Sequence, residues 1–273
     1  MAARAKVLNP LASLRPASML LLLLGAGAHG QCAPASAPPD VPTATSERIG
    51  ATLHERFPTL EIDGIHHAPM AGLFEVVTAD QVLYVNDGAT MMLVGKLIDT
   101  GTKEDLSSKS WNRYNAIDFT KLPFELAIKI VKGDGSRTLA LFEDPRCPYC
   151  RQLEQQLQNV SNVTLYVFLY PLEQIHPGAT ELADRIWCSQ DRGAAWSHWM
   201  INGAEPATLT ATCDIGAIGK LGELGNRLRI SSTPTLFFSD GRRSRGVMSS
   251  EQIESGLAQT NRQVASASSS SRP

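Results

Sequence analysis

Two cysteines separated by two residues, Cys147 and Cys150, are the part of the sequence best suited to carry out chemistry. Residues 138–142 before them are typical of a short buried strand, and the apolar residues after them recur at helical spacing. Cys147 is therefore predicted to lie at the N-terminus of a helix whose first position is Pro148. Unpaired backbone N–H groups and the helix dipole favour an anion there, which lowers the pKa of a thiol and makes it a nucleophile.

The two sulfur atoms are predicted to have different roles. Arg146 places a positive charge beside Cys147, which we expect to be the more exposed cysteine and the one that attacks a disulfide. Cys150 would then resolve the resulting mixed disulfide. The same spacing also occurs in zinc ribbons and knuckles, so the two cysteines alone do not distinguish a redox site from a metal site.

A threonine–proline pair, Thr233–Pro234, provides a second signal. It precedes the strand formers of residues 235–238, and a proline at the head of a core strand is unfavourable unless it has a special role. By itself the pair is more typical of an ordinary turn. Together, the strand, the two cysteines, the helix and this pair resemble the thioredoxin superfamily, in which the proline is cis and faces the active-site disulfide. The resemblance implies that the backbone at Thr233 pairs with an extended substrate segment.

The overall composition is typical of a globular protein. The chain has 273 residues, of which 43% are hydrophobic and 19% are charged, enough for a sizeable core in two domains. The net charge of −2 gives no sign of the basic surface that nucleic-acid binding requires. We therefore expect no nucleic-acid partner.

Residues 1–28 are predicted to be a secretory signal peptide. Basic residues precede the apolar run of residues 17–24, and residues 26–28 offer a small-residue cleavage site. The apolar run is too short to span a membrane. Cys32 raises the alternative of a lipoprotein, although residues 29–31 lack the small apolar pattern of a lipidation site. Otherwise Cys32 is a free thiol in a flexible leader.

Residues 29–45 are rich in proline, alanine and serine and are predicted to form a flexible linker. A small α+β unit follows over residues 46–105, where Ser46 is predicted to cap a helix. The apolar face of this helix is formed by Ile49, Leu53 and Phe57. Strand-like runs follow at residues 73–77, 81–85 and 90–94, the last two joined as a hairpin. A unit of about 60 residues buries little surface alone, so a second copy of it is the expected partner.

Residues 106–122 are predicted to form a linker helix. Trp111 and Tyr114 recur at helical spacing, and Pro123 stops the helix. A simple surface helix is the alternative, but a position between two units is typical of a spacer.

A second domain is predicted over residues 123–262. Residues 124–130 alternate between apolar and polar side chains and predict its first strand. Residues 215–228 predict a glycine-rich helix capped by Asp214. Another helix begins near residue 249, and the serine-rich residues 263–273 are predicted to be a disordered tail.

The order of the motifs sharpens the resemblance. The features that carry it are Val82–Gly88 with Gly95 beyond it, the linker helix, Cys147–Cys150, Ile186–Cys188, Cys213–Asp214 and Ile230–Thr235. Over residues 46–262 the chain resembles the periplasmic disulfide isomerases of the DsbC/DsbG family. The resemblance implies a mixed α+β and α/β fold, in which a small α+β dimerisation domain and a linker helix precede a thioredoxin-like domain with a helical insertion.

The same resemblance implies a function. The protein would isomerise or reduce non-native disulfides of secreted proteins in the periplasm, through Cys147 and Cys150 and the neighbouring residues Pro148, Tyr149, Thr233 and Pro234. Its partners would be unfolded or misoxidised secreted proteins, a second copy of itself and a DsbD-like membrane reductant, with no cofactor and no metal. Two other functions stay open: a dimeric chaperone in which the cysteines are secondary, and a dithiol oxidase similar to DsbA.

Two positions depart from the patterns of these families. The dipeptide Pro148–Tyr149 is similar to the DsbG branch, whereas the chain length is closer to DsbC. Thioredoxins carry an acid six residues before the first active-site cysteine, and that position is Leu141 here. No buried carboxylate is therefore assigned as a proton acceptor, and Glu143 and Asp144 are expected only to raise the pKa of Cys147 by repulsion.

The resemblance also suggests a structural disulfide between Cys188 and Cys213, around the helical insertion. Closing a loop of roughly 26 residues would stabilise the fold by about 3.5 kcal/mol. A zinc site that combines this pair with Cys147 and Cys150 is the alternative, but neither cysteine of the second pair has the close-spaced partner of zinc motifs. His66–His67 is an equally weak metal site, because neighbours on a strand point to opposite faces.

Overall fold

The computed structural model of the chain describes residues 40–207 and 213–270. The predicted signal peptide, Cys32 and most of the predicted linker lie outside the described residues. Helices and strands are mixed in two sheets, which confirms the predicted fold class. Within the described part, no helix is both long enough and apolar enough to cross a membrane.

The N-terminal unit is a four-stranded antiparallel sheet with one helix on it. Its elements are α1 (Thr43–Arg56), β1 (Gly64–His67), β2 (Leu73–Val77), β3 (Val82–Asn86) and β4 (Met92–Val94). The strands pair in chain order, and a turn at residues 86–89 joins β3 to β4. Ile49 and Leu53 of α1 are fully buried against the sheet, as their spacing predicts.

The predicted limits of α1 are wrong at both ends. The carbonyl of Pro42 accepts from the backbone N–H groups of Thr45 and Ser46, so the chain is already helical at Thr43 and Ser46 lies inside the first turn rather than at the cap. Phe57 follows the last helical residue with non-helical backbone (φ −133°, ψ 73°) and is 47% exposed. It therefore does not share the buried face. No limits were predicted for the strand β1, although His66 and His67 within it were treated as neighbours on a strand.

The linker helix α2 spans Leu106–Asn115 and is capped by Asp105, whose carboxylate accepts from the Ser108 N–H at 2.8 Å. It is shorter than the predicted span of residues 106–122, because Ala116 is extended and a separate 3-10 turn follows at Phe119–Lys121. The helix is also more than a spacer. Trp111 packs in one cluster with Val77, Val82 and Tyr84 of the first sheet.

The second sheet has five strands, in the order β5–β7–β6–β8–β9. They are β5 (Ile128–Lys132), β6 (Arg137–Glu143), β7 (Val163–Leu169), β8 (Thr235–Phe238) and β9 (Arg243–Arg245). Only β6 and β7 are parallel, and the helix α3 (Pro148–Leu157) connects them. The side chains of β6 and α3 lie at the centre of the larger hydrophobic core.

The predicted first strand of this domain starts too early. Residues 124–126 form a 3-10 turn, closed by a hydrogen bond from the Ala127 N–H to the Phe124 carbonyl, and β5 begins at Ile128. The Phe124 ring instead packs on Tyr166, with 4.5 Å between ring centroids. An apolar residue in a turn before a strand gives the same alternating sequence pattern as an apolar residue inside the strand. Periodicity alone therefore does not show whether Phe124 belongs to β5.

A helical insertion lies between β7 and β8. It contains α4 (Ala179–Trp187), α5 (Arg192–Ser197) with a π-helical turn at His198–Asn202, and α6 (Gly216–Arg227). A disulfide joins Cys188, after α4, to Cys213, before α6. The Asp214 carboxylate accepts from the Gly216 N–H at 2.8 Å, so it serves the first turn of α6 although Ile215 is the residue at the cap.

The last helix, α7, spans Ser250–Ser270. This contradicts the prediction of a disordered tail from residue 263. Residues 257–270 contain neither glycine nor proline, so no residue in that stretch breaks a helix. The disordered tail was predicted from the serine content alone. Ile253 and Leu257 of α7 are buried, in agreement with the predicted inward face.

Candidate active site

Cys147 occupies the N-cap of α3, and Pro148 takes the first helical position. The chain reaches this point through a tight turn after β6, in which the Cys147 N–H donates to the Asp144 carbonyl at 3.1 Å. Both thiols are free and both residues are buried: Cys147 is 4% exposed and Cys150 is 0% exposed. The attacking sulfur predicted from sequence is thus the more accessible one, but only by a small margin. Tyr149 between them is 59% exposed.

The Thr233–Pro234 segment lies directly against Cys147. The peptide bond between these two residues is cis, and β8 begins immediately after it, beside β6. The Cys147 Sγ lies 3.5 Å from the Thr233 carbonyl oxygen. The Thr233 hydroxyl is buried, and the Cys147 sulfur is the group on which it acts among the described residues. The two motifs, separated by 86 residues in sequence, therefore form one site.

Hydrogen bonds at the start of α3 lower the pKa of Cys147 to about 5. The largest cause is the hydrogen bond from the Cys150 thiol; the Thr233 hydroxyl and the backbone N–H groups of Cys150 and Tyr149 act in the same direction. Burial raises the pKa but is outweighed. Arg146 was predicted to contribute its charge, but it is exposed and is not among these causes. Cys147 is therefore a thiolate at neutral pH.

Cys150 has the opposite behaviour. Burial is the main cause that raises its pKa, and the neighbouring Cys147 and Glu143 act in the same direction. Cys150 thus keeps its proton and donates its hydrogen bond to the Cys147 thiolate. The asymmetry suits one sulfur that attacks and another that acts only after it loses a proton.

Asp144 holds the turn that leads into Cys147. Its carboxylate is fully buried and accepts from the backbone N–H groups of Arg146 and Leu172, each at 2.7 Å, and it lies 2.9 Å from Nδ1 of His176. Sequence reasoning treated Asp144 only as a repelling charge and did not single out His176. No local pattern could have paired them, because 32 residues separate the two.

Glu143, the last residue of β6, is a buried carboxyl next to the cysteines, although no buried carboxylate was assigned from sequence as a proton acceptor and Glu143 was expected only to repel Cys147. It is 0% exposed, and neither oxygen has a hydrogen-bond partner among the described residues. Burial raises its pKa well above the ordinary value, and the charge of Glu154 raises it further. Leu141 and Glu143 lie on the same face of the strand, so an acid at either position can point toward α3. This alternation was the signal available in the sequence.

Glu154, on α3, is the partner that acts on Glu143. Burial raises its pKa, whereas interactions with Glu143, the Trp196 indole and Lys132 lower it in part. The Trp196 Nε1–H donates to its carboxylate at 2.7 Å. Glu154 also lines a cavity of about 330 Å³ together with Lys132 and His198. A buried pair of acids therefore leads from the cysteines toward a second opening on the domain.

No metal site accompanies these residues. Across residues 40–207 and 213–270, no group of three or more potential metal ligands comes together. Cys188 and Cys213 are bonded to each other, which contradicts the alternative of a four-cysteine zinc site. His66 stacks on Tyr114, with 3.8 Å between ring centroids, instead of facing another ligand.

Family models match nearly all of the described chain. The model described as a thioredoxin-like domain matches residues 124–261, and the model described as the disulfide bond isomerase protein N-terminal domain matches residues 32–108.

Curated relatives match most of the chain. The "Probable thiol:disulfide interchange protein DsbC" of Bordetella pertussis is 36% identical over 82% of this chain and 76% of the relative. The "Thiol:disulfide interchange protein DsbC" of Escherichia coli K12 is 26% identical over 65% of this chain and 73% of the relative. Among solved structures, a disulfide interchange protein from Neisseria gonorrhoeae is 34% identical, with a TM-score of 0.49, over 51% of this chain and 98% of that one.

Proposed function

Because the chain belongs to the DsbC family of thiol:disulfide interchange proteins, we propose that Cys147 is its attacking nucleophile and Cys150 its resolving cysteine. The protein is a thiol–disulfide oxidoreductase and isomerase with a thioredoxin-like domain. One observation carries the assignment of roles. The pKa of Cys147 is lowered to about 5 while that of Cys150 is raised, so only the first sulfur is ionised before reaction.

The reaction begins when the Cys147 thiolate attacks one sulfur of a substrate disulfide. A bond forms between Cys147 and that sulfur, and the other substrate sulfur leaves as a thiolate. If a substrate thiolate then attacks the mixed disulfide, the substrate is isomerised and Cys147 is regenerated. If Cys150 attacks instead, the substrate is reduced and the Cys147–Cys150 disulfide forms. Pro148, Tyr149, Thr233 and Pro234 surround the point of attack.

The second route requires Cys150 to lose a proton inside the core. The Glu143–Glu154 pair is suited to accept it, because two buried carboxylates are not both charged: one holds a proton and the other stays a carboxylate that can take the proton of Cys150. The cavity that Glu154 lines would be the route by which the pair exchanges this proton with solvent. This route leaves the enzyme oxidised, so a DsbD-like membrane reductant would return it to the dithiol state.

The substrates of this reaction would be unfolded or misoxidised secreted proteins, met in the periplasm after cleavage of the signal peptide of residues 1–28. The N-terminal unit would join two copies of the chain. Met91, Leu93 and Val94, at the β4 edge of the first sheet, are more than half exposed, and β4 has no further strand beside it within the described residues. Pairing of the β4 edge with the β4 edge of a second copy would cover these side chains.

Acid quench and alkylation of intact cells tests the proposed function directly. We expect Cys147 and Cys150 to be trapped mostly as thiols, because an isomerase or reductase needs the reduced form. A mostly oxidised pair would instead indicate the alternative function, a dithiol oxidase similar to DsbA.

The pKa of Cys147 leads to a prediction for alkylation. With iodoacetamide, the reduced protein should react at a rate that rises with pH and is half-maximal near pH 5, since the thiolate is the reactive form. Cys150→Ala should move this midpoint upward, because the Cys150 hydrogen bond is the largest cause of the low pKa. A midpoint near the ordinary value of ~8.5 in the unaltered protein would contradict the assignment.

Replacing Glu143 by glutamine should slow closure of the Cys147–Cys150 disulfide, because glutamine cannot take the proton of Cys150. We expect closure at pH 7, followed by rapid quench after attack on a model disulfide, to slow by about tenfold or more. The initial attack by Cys147 should change much less. Glu223→Gln is the matched control, since the Glu223 side chain is 77% exposed. Equal closure rates in the two variants would remove Glu143 from the mechanism.

A further inference from the structure

The turn between β2 and β3 contacts the loop that faces Cys147, although it belongs to the N-terminal unit. This turn, residues 78–81, is held by the Thr78 hydroxyl, which donates to the Gln81 carbonyl at 2.9 Å and accepts from the Asp80 and Gln81 N–H groups. Its projecting residue is Asp80. The geometry of the turn is thus fixed by hydrogen bonds within the N-terminal unit and does not depend on contacts with the second domain.

Asp80 makes contacts on both sides of the Thr233–Pro234 segment. On one side, the Ser231 hydroxyl donates to the Asp80 carboxylate at 2.8 Å. On the other, Nη1 of Arg245 donates to the same carboxylate oxygen at 2.8 Å and to the Asp80 carbonyl at 3.0 Å. Arg245 also donates to the carbonyl of Ala79.

The two residues that Asp80 holds are directly connected to the substrate-facing loop. Ser231 lies two residues before Thr233, whose carbonyl is 3.5 Å from the Cys147 sulfur. Arg245 pairs with Thr235 across β8 and β9, and the next residue, Gly246, donates its N–H to the Pro234 carbonyl at 2.9 Å. Asp80 therefore binds residues on both sides of the Thr233–Pro234 loop: Ser231 before it and Arg245 after it.

Other contacts keep this arrangement in place. The Arg245 guanidinium lies 4.6 Å from the Trp111 ring centroid, and its side chain is only 19% exposed. Asn112 of α2 accepts from the Arg243 N–H at 2.9 Å, and Arg229 forms an ion pair with Asp63. The position of the turn therefore does not depend on Asp80 alone, so loss of its carboxylate should loosen the loop without separating the two parts of the chain.

We propose that Asp80 is a positioning residue for disulfide exchange: through Ser231 and Arg245 it holds the Thr233–Pro234 loop against Cys147. The N-terminal unit thereby contributes to the geometry of the reactive site in addition to any role in self-association. The proposal rests on the proposed function only where it concerns protein substrates. The effect of Asp80 on the pKa of Cys147 can be measured even if the protein shows no disulfide exchange with a substrate.

The test replaces Asp80 by alanine in the full chain. The Asp80 side chain is 63% exposed, and Arg245 keeps its hydrogen bonds to the backbone carbonyls of residues 79 and 80, so the melting temperature should change little. Because the Thr233 hydroxyl helps to lower the pKa of Cys147, a looser loop should raise the alkylation midpoint measurably above about pH 5. We also expect kcat/KM for repair of a scrambled protein to fall by about three- to tenfold.

Three further variants show whether a change in the alkylation midpoint or the repair rate of Asp80→Ala arises from the contact between Asp80 and Ser231. Asp80→Asn keeps an acceptor for Ser231 and should restore part of the effect, while Ser231→Ala should imitate Asp80→Ala and add little to it in the double variant. Asp87→Ala is the matched control, because Asp87 lies in the next hairpin turn and pairs with Arg48 at 2.7 Å, within the N-terminal unit.

An Asp80→Ala protein whose alkylation midpoint and repair rate both match those of Asp87→Ala would overturn the proposal. If the unaltered protein repairs nothing, the proposed function fails, yet a midpoint shift in Asp80→Ala alone would still support the positioning role. The two failures are therefore separate results.

Discussion

Replacing Cys147 by serine is expected to abolish thiol–disulfide exchange completely, whereas Cys150→Ser should keep the first attack and accumulate mixed disulfides with substrate. The difference follows from the two pKa values. Only Cys147 is ionised at neutral pH, and Cys150 is buried with its proton. A hydroxyl at position 147 provides no comparable nucleophile, so the rate should fall to that of the uncatalysed reaction.

Non-reducing electrophoresis with mass spectrometry of the trapped species would test this pair of variants. Adducts should be frequent in Cys150→Ser and absent in Cys147→Ser, and some isomerisation can persist in Cys150→Ser because a substrate thiol can release the enzyme. Similar residual activity in both variants would show that the roles are assigned wrongly. The double variant Cys147→Ala/Cys150→Ala tests the chaperone alternative, since a holdase would still suppress aggregation of an unfolded client.

The second large effect is expected from charges on the edge strand of the N-terminal unit. In a Met91→Lys/Leu93→Lys variant, two side chains that are 69% and 55% exposed would carry like charges at the edge where we propose that two copies meet. The variant should be a folded monomer, since neither side chain contributes much to the core of its own chain. Repair of scrambled substrates should fall severalfold, because a monomer presents one site instead of two facing sites.

Sedimentation equilibrium beside a repair assay measures both consequences. Val131→Lys is the matched control: Val131 is 56% exposed on β5, the edge strand of the other sheet, and its substitution should leave the mass and the repair rate unchanged. A persistent dimer in the Met91→Lys/Leu93→Lys variant would show that self-association uses another surface. Full repair by a monomer would show that it is unnecessary.

Local sequence was sufficient for the centre of the site. A strand, a proline at the first helical position and apolar residues at helical spacing are all short-range features, so the placement of Cys147 at the start of α3 could be predicted. The Thr233–Pro234 pair was recognised through resemblance, because no short-range rule brings residues 86 positions apart to one sulfur.

The groups that were missed depend on distant contacts. Asp144 meets His176 across 32 residues, and Asp80 meets Ser231 across 151 residues. Glu143 was passed over for a different reason. The family pattern places the acid at position 141, which is leucine here, although the period of a strand puts Leu141 and Glu143 on one face. The displaced element limits, at Ser46 and Phe124, arise where a nearby proline starts a turn that the apolar pattern does not reveal.

The low pKa of Cys147 also determines which redox form the fold favours. At neutral pH the reduced, folded protein holds a thiolate where the unfolded chain would hold a thiol. This difference stabilises the reduced fold fully above the unfolded pKa of ~8.5, and the stabilisation is lost as the pH falls through about 5. The Cys147–Cys150 disulfide carries no charge that could be stabilised in the same way. The low pKa of Cys147 therefore favours reduction of the Cys147–Cys150 disulfide. It also makes the dithiol form, which isomerisation requires, the form that is stabilised against unfolding.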